Sequence, residues 1–224
     1  KEAELSVRKA IERKPYFAEG YSNLGLILKN LGKIEDSLIS LKQAVQINPN
    51  FKEGYTNLSS IYKQIGNRSE AKKYAEKVIT MDPYHDEANL ILGLILLDEK
   101  KYNEAHKLLT SVIKTYPQKA TAHLGLSNLY ISTDRYKKGE IHARKAIDIE
   151  PTNADYYICL GQALEALGDS NEAIKMYEEA HKIQPNNLFY YLKSKIHLSP
   201  IPSSSKQIDR ERAQLKIAIS EISK

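Results

Sequence analysis

Residues 154–187 read ADYYICLGQALEALGDSNEAIKMYEEAHKIQPNN, and this stretch decides the fold. Its first half sets Tyr157, Leu160, Gly161 and Leu164 at i, i+3, i+4 and i+7, the spacing of one helix face. Gly168 then stands where a left-handed residue would end that helix. A second helical pattern carries Ala173, Tyr177 and Ala180 on one side. Pro185 closes it, because proline cannot continue a helix and pushes the preceding residue out of helical geometry. The stretch therefore encodes two helices joined by a tight turn.

The same pattern recurs along the chain. Prolines stand at 15, 49, 83, 117, 151 and 185, each 34 residues after the last. A fixed period of this size marks a repeat architecture, since a single core imposes no period on its loops. Five full units follow as 18–51, 52–85, 86–119, 120–153 and 154–187. The slot of Gly161 stays small throughout, as Gly25, Ser59, Gly93 and Ser127, which lets two helix backbones approach closely. The turn slot holds Gly32, Gly66 and Gly168 but also Lys100 and Asp134. Aspartate tolerates the left-handed conformation better than lysine, so the turn of the third unit fits worst. Asn89 and His123 depart from the aromatic at the slot of Tyr157, and Gly139 departs from alanine at the slot of Ala173.

Both ends are incomplete. Residues 1–17 match the second helix of a truncated repeat, with Ala3, Val7, Ala10 and Pro15 in register and no first helix before them. The expected reading is a fragment whose parent continues upstream, because an unpaired helix leaves an apolar edge. Residues 188–224 read as a degenerate half repeat plus a C-terminal capping helix. Leu188 to Leu198 has a first-helix pattern, Pro200 and Pro202 break it, and Ser204 with Gln207 makes a capping box. Ile208, Leu215, Ile219 and Ile222 would share one face of that last helix.

The succession aromatic-x2-Leu-Gly-x2-Tyr, Ala-x3-aromatic and Pro resembles the tetratricopeptide repeat, most fully in residues 154–187. The resemblance implies an all-α, right-handed α-α superhelix, a solenoid of helix pairs whose first helices line a concave face. It also implies a non-enzymatic scaffold that binds a protein or peptide segment in that groove. By the resemblance, the groove residues are Ser22, Asn23, Leu26, Lys29 and Asn30 in the first unit and Thr56, Asn57, Ser60 and Lys63 in the second. The third unit supplies Leu90, Ile91, Leu94 and Leu97; the last two supply Leu124, Asn128, Ile131 and Gln162. The groove would start polar and turn apolar in its middle.

Asn23 and Asn57 fall at one slot, in Tyr-Ser-Asn-Leu-Gly and Tyr-Thr-Asn-Leu-Ser. An amide donates and accepts, so a row of them can hold a peptide backbone whatever its side chains. The pair resembles the asparagine ladder of O-linked N-acetylglucosamine transferases, though only two rungs long, since Ile91, Gly125 and Cys159 follow. The plainer reading is ordinary polar surface. The tail Leu198-Ser-Pro-Ile-Pro, with Ile208, Asp209 and Arg212, resembles the segment joining such repeats to glycosyltransferase-like domains. Two alternatives therefore stand beside the scaffold: the substrate-recruiting region of a larger glycosyltransferase-like enzyme, and a module that joins copies of itself through open solenoid ends.

Composition narrows the field further. The 224 residues are 42% hydrophobic and 27% charged, as in ordinary folded proteins, and ten glycines with eight prolines exclude low-complexity chains. A lone Cys159 excludes an internal disulfide and fits a reducing, cytoplasmic setting. The longest apolar run, Ile91–Leu97 around Gly93, is too short to span a bilayer, so no membrane is expected. No histidine pair has zinc-protease spacing, Cys159 has no CxxC partner, and glycines occur singly. Neither catalytic residues, nor metal, nor cofactor are expected. The net charge is +5, but lysines and arginines spread over every unit with acids nearby, whereas a nucleic-acid footprint clusters on one face. Nucleic acid is not the expected partner.

Overall fold

The computed structural model describes residues 2–195 together with 209, 212, 213, 216 and 217. The capping box at Ser204 and Gln207 and the apolar face from Ile208 to Ile222 lie outside the described residues. Within them the regular structure is helical: α1 (Glu2–Arg13), α2 (Ala18–Asn30), α3 (Ile34–Ile47), α4 (Lys52–Gln64), α5 (Arg68–Met81), α6 (Asp86–Asp98) and α7 (Tyr102–Thr115). These make one compact unit, ending at Pro117. The second, from Gln118, contains α8 (Ala120–Ile131), α9 (Tyr136–Ile149), α10 (Ala154–Leu167), α11 (Ser170–Ile183) and α12 (Leu188–Lys195).

Each unit is a stack of helix pairs, the α-α solenoid arrangement. The tightest packing is α2 on α3, α4 on α5 and α6 on α7 in unit one, and α8 on α9 and α10 on α11 in unit two. First helices of neighbouring pairs also touch, α2 to α4, α4 to α6, and α8 to α10. That contact places one face of each first helix in a common layer.

Pairing rests on a size rule. Where the first helix carries glycine, the facing second-helix side chain is large: a Cβ on Gly25 would lie 2.6 Å from Leu41, on Gly93 3.0 Å from Leu109, and on Gly161 2.3 Å from the Tyr177 ring. Where it carries serine, at Ser59 and Ser127, the residue in the corresponding second-helix slot is alanine, at Ala75 and Ala143. Large side chains thus face glycine and small ones face serine, the complementarity a close-packed interface requires. The serines add a bond across the pair. Ser59 Oγ donates to the Ala71 carbonyl and Ser127 Oγ to the Gly139 carbonyl, each at 2.7 Å. In the first pair the direction reverses, with Ser37 Oγ donating to the Gly25 carbonyl at 2.6 Å.

All five turn residues adopt the left-handed region. Gly32, Gly66 and Gly168 have φ of 76°, 79° and 89°, and Lys100 and Asp134 follow them at 61° and 56°. The third and fourth turns therefore keep the geometry of the others at a steric cost of about 1–2 kcal/mol for an L side chain. Asp134 offsets part of it by accepting a hydrogen bond from the Tyr136 hydroxyl. The two departures at the aromatic slot are buried polar groups. Asn89 donates to the Pro83 carbonyl at 2.9 Å, while its Oδ1 has no partner among the described residues. His123, only 2% exposed, lies with its Nδ1 2.9 Å from His142 Nδ1. It is a fully buried core histidine.

Candidate functional site: the first-helix face

Helical geometry divides each first helix. At about 100° per residue, the fourth, seventh, eighth and eleventh slots point to the partner helix, and the second, sixth, ninth and twelfth point away from it. The ninth slot sits at the centre of the outward face. Its residues Leu26, Ser60 and Leu94 in unit one, and Asn128 and Gln162 in unit two, are all half-buried.

In unit one, Asn23 and Asn30 are exposed, and Lys29, Asn57 and Leu97 are half-buried. The amide of Asn57 reaches back one repeat and donates to Ser22 Oγ at 3.1 Å. One of its two amide N–H groups is thereby used. Ser22 and Thr56 are buried, the latter donating to the Lys52 carbonyl. Leu90 and Ile91 require a correction: at 4% and 3% exposure they are packed away and offer no groove surface. Both lie on the outward half of α6, where the neighbouring first helix α4 also packs. Leu94 and Leu97 remain partly open, so the apolar section is narrower than expected.

Lys63 is exposed by area yet ringed by protein atoms. Desolvation lowers its pKa, against the opposing pull of Asp98 and Glu87. Asp98 is itself held by Arg68 at 3.2 Å. The outward face also carries Glu19, Glu53 and Glu87 at the second slot, near the start of each first helix. Sequence reasoning did not single out this row. Superposing the units at their 34-residue period would have revealed it.

Unit two offers less. Leu124 and Ile131 pack against its core cluster, and Cys159 is buried. The Cys159 thiol contacts Ser127 Oγ at 3.0 Å and Asn128 Oδ1 at 3.1 Å, which occupies the Asn128 acceptor. Burial pushes that thiol up to about 11, outweighing the Ser127 hydrogen bond, so it stays protonated and unreactive near neutrality. Among the described residues no group of three or more histidine, cysteine, aspartate or glutamate side chains converges as a metal site. No helix among them is long and apolar enough to cross a membrane.

The family model described as tetratricopeptide repeat matches residues 18–51 and 154–187. That of the anaphase-promoting complex, cyclosome, subunit 3 matches residues 65–146. No curated protein sequence matches the chain. Among solved structures, a tetratricopeptide repeat protein from Parabacteroides merdae superposes with a TM-score of 0.70 at 21% identity, covering 97% of this chain and 85% of that one. PilF of Pseudomonas aeruginosa gives 0.71 at 16% identity, covering 90% and 88%. YrrB, described as a tetratricopeptide repeat protein with an unusual peptide-binding site, gives 0.61 at 18% identity, covering 82% and 95%. At these identities the structural likeness speaks for the fold. Residues 18–51 and 154–187 thus match the tetratricopeptide repeat, and the units between them keep the same 34-residue helix-pair register.

Proposed function

We propose that the chain is a protein-interaction scaffold and that the first-helix face of unit one receives an extended partner segment. The observation that carries this reading is the centre line Leu26, Ser60 and Leu94, left half-open beside the amides of Asn23 and Asn57. The residues that hold each helix pair together lie on the opposite side. Asn23 and Asn57 would bind the segment's backbone, and Leu94 with Leu97 would take an apolar side chain. The peptide-binding site described for YrrB, a structural neighbour, lends this use of such a fold support. A narrower version has the same groove deliver substrates to a glycosyltransferase-like domain. It draws on the two asparagines and the tail after Leu198, and a catalytic domain downstream in the parent reading frame is its test.

Affinity capture with the intact chain against a Leu94→Asp variant tests the main reading, followed by calorimetric titration of the captured segment. Binding should fall sharply in Leu94→Asp, because the change places an unpaired carboxylate against an apolar ligand group. Asn23→Ala and Asn57→Ala should each weaken it by about 0.5–1.5 kcal/mol, the net worth of a neutral hydrogen bond. Unchanged capture by all three variants would refute the groove.

A further inference from the structure

Three rows run across the first helices of unit one. Acids occupy the second slot at Glu19, Glu53 and Glu87, amides the sixth at Asn23 and Asn57, and lysines the twelfth at Lys29 and Lys63. Ten residues separate the acidic and basic slots, about 15 Å along a helix. The amide row lies between them. We infer that this face selects an extended peptide strand whose side chains alternate in charge, bases toward Glu19 and Glu53 and acids toward the lysines. The inference deepens the groove reading above and rests on it.

The geometry follows from strand structure. Backbone N–H and C=O groups of an extended strand point along its two edges, while side chains leave alternately to opposite faces. Amides on the floor must meet an edge, where Asn57 presents its Oδ1 and its second N–H, the first being given to Ser22. A strand held by its edge stands upright in the groove. Its odd side chains then face one wall and its even side chains the other. A width of about 15 Å admits one backbone with a side chain on each side. The walls are oppositely charged, so charge must alternate with residue parity rather than come in blocks. Asp98 and Glu87 both act on Lys63; Arg68 already engages the Asp98 carboxylate, and Glu87 is for that reason not counted in the acidic wall.

The probes are two synthetic ten-residue peptides of identical composition, one alternating Glu and Lys and one with all Glu before all Lys. Fluorescence anisotropy with the intact chain at low salt should show the alternating peptide binding at least about tenfold more tightly. That preference should vanish in Lys29→Glu/Lys63→Glu and fade as salt rises, with thermal melts confirming that the variant folds. Equal affinity for the two peptides, no binding of either, or a preference that survives the charge reversal would overturn the inference. The groove reading has its own arm: a captured segment that depends on Asn57 and Leu94 but ignores Lys29 and Lys63 would sink only the charge pattern. Indifference to all four positions would sink both.

Discussion

Gly161→Ser and Tyr177→Ala, made singly and together, test the size rule that pairs the helices. A Cβ at Gly161 would stand 2.3, 2.7 and 2.9 Å from three ring carbons of Tyr177. The ring cannot step aside easily. It is 1% exposed, its hydroxyl donates to Glu165 at 2.6 Å, and Lys193 covers its face at 5.1 Å. Overpacking of this kind costs about 1–3 kcal/mol, and a rigid ring against backbone belongs at the upper end. Removing the ring alone leaves a cavity worth about 3–5 kcal/mol. Simple addition predicts about 6–8 kcal/mol for the double variant. The double variant, however, rebuilds the Ser127–Ala143 arrangement of the preceding repeat, including a hydroxyl placed like that of Ser127, which donates to the Gly139 carbonyl at 2.7 Å. The clash disappears and part of the cavity fills. We expect a favourable coupling of about 2 kcal/mol or more, read from urea unfolding followed by far-ultraviolet circular dichroism. Costs that add within about 0.5 kcal/mol would refute the size rule.

Lys100→Gly should stabilise unit one by up to about 1 kcal/mol by relieving the left-handed strain at φ 61°, whereas Asp134→Gly should gain less because it forfeits the Tyr136 hydrogen bond; an unchanged urea midpoint in Lys100→Gly would count against strain there. Gly93→Leu should lower the midpoint more than Asn89→Ala, since the first forces atoms into Leu109 from 3.0 Å while the second removes a side chain with an unpartnered Oδ1. Glu140 carries a lowered pKa: burial raises it, but hydrogen bonds from Lys137 and Arg144 together outweigh that. Its contribution is therefore complete above the unfolded carboxylate's range near 4.5 and is lost as pH falls through the lower folded value. Acid unfolding of Glu140→Gln should show a shallower decline than the parent, and identical profiles would remove Glu140 from the account.

The fold was legible because the residues that build it repeat at one period. Pro185 and Gly168 announce a helix end and a turn without reference to anything distant, and the tetrad Tyr157, Leu160, Gly161 and Leu164 announces the buried stripe. The pairing rule was present too, as glycine opposite Leu41, Leu109 and Tyr177 and serine opposite Ala75 and Ala143, but it requires reading two helices at once. The left-handed turn at Lys100 was not legible. Local preference argues against it, and the helices on either side impose it. Among groove residues, slot alone could not separate Leu90 and Ile91 from Leu94 and Leu97, since all four lie on the same half of α6. Their burial depends on how closely first helices approach, which the sequence does not express as a period.

This division has a consequence for partner choice. Side chains that hold a pair together occupy the inner slots, and those offered to a partner occupy the outer ones, about half a turn away. Exchanges at Asn23, Lys29 or Lys63 leave the pairing slots untouched, so recognition can be rewritten at little cost in stability. The flanking fifth slot is the exception. Ser22 is buried and also accepts the Asn57 amide, so it belongs to the stack and to the groove floor at once. A change there moves both: Ser22→Ala removes the hydroxyl that holds one Asn57 N–H and with it the fixed orientation of that amide. In the proposed groove the orientation of the Asn57 amide is thus set by a buried residue of the stack, while a charge preference would stay open to change at Lys29 and Lys63.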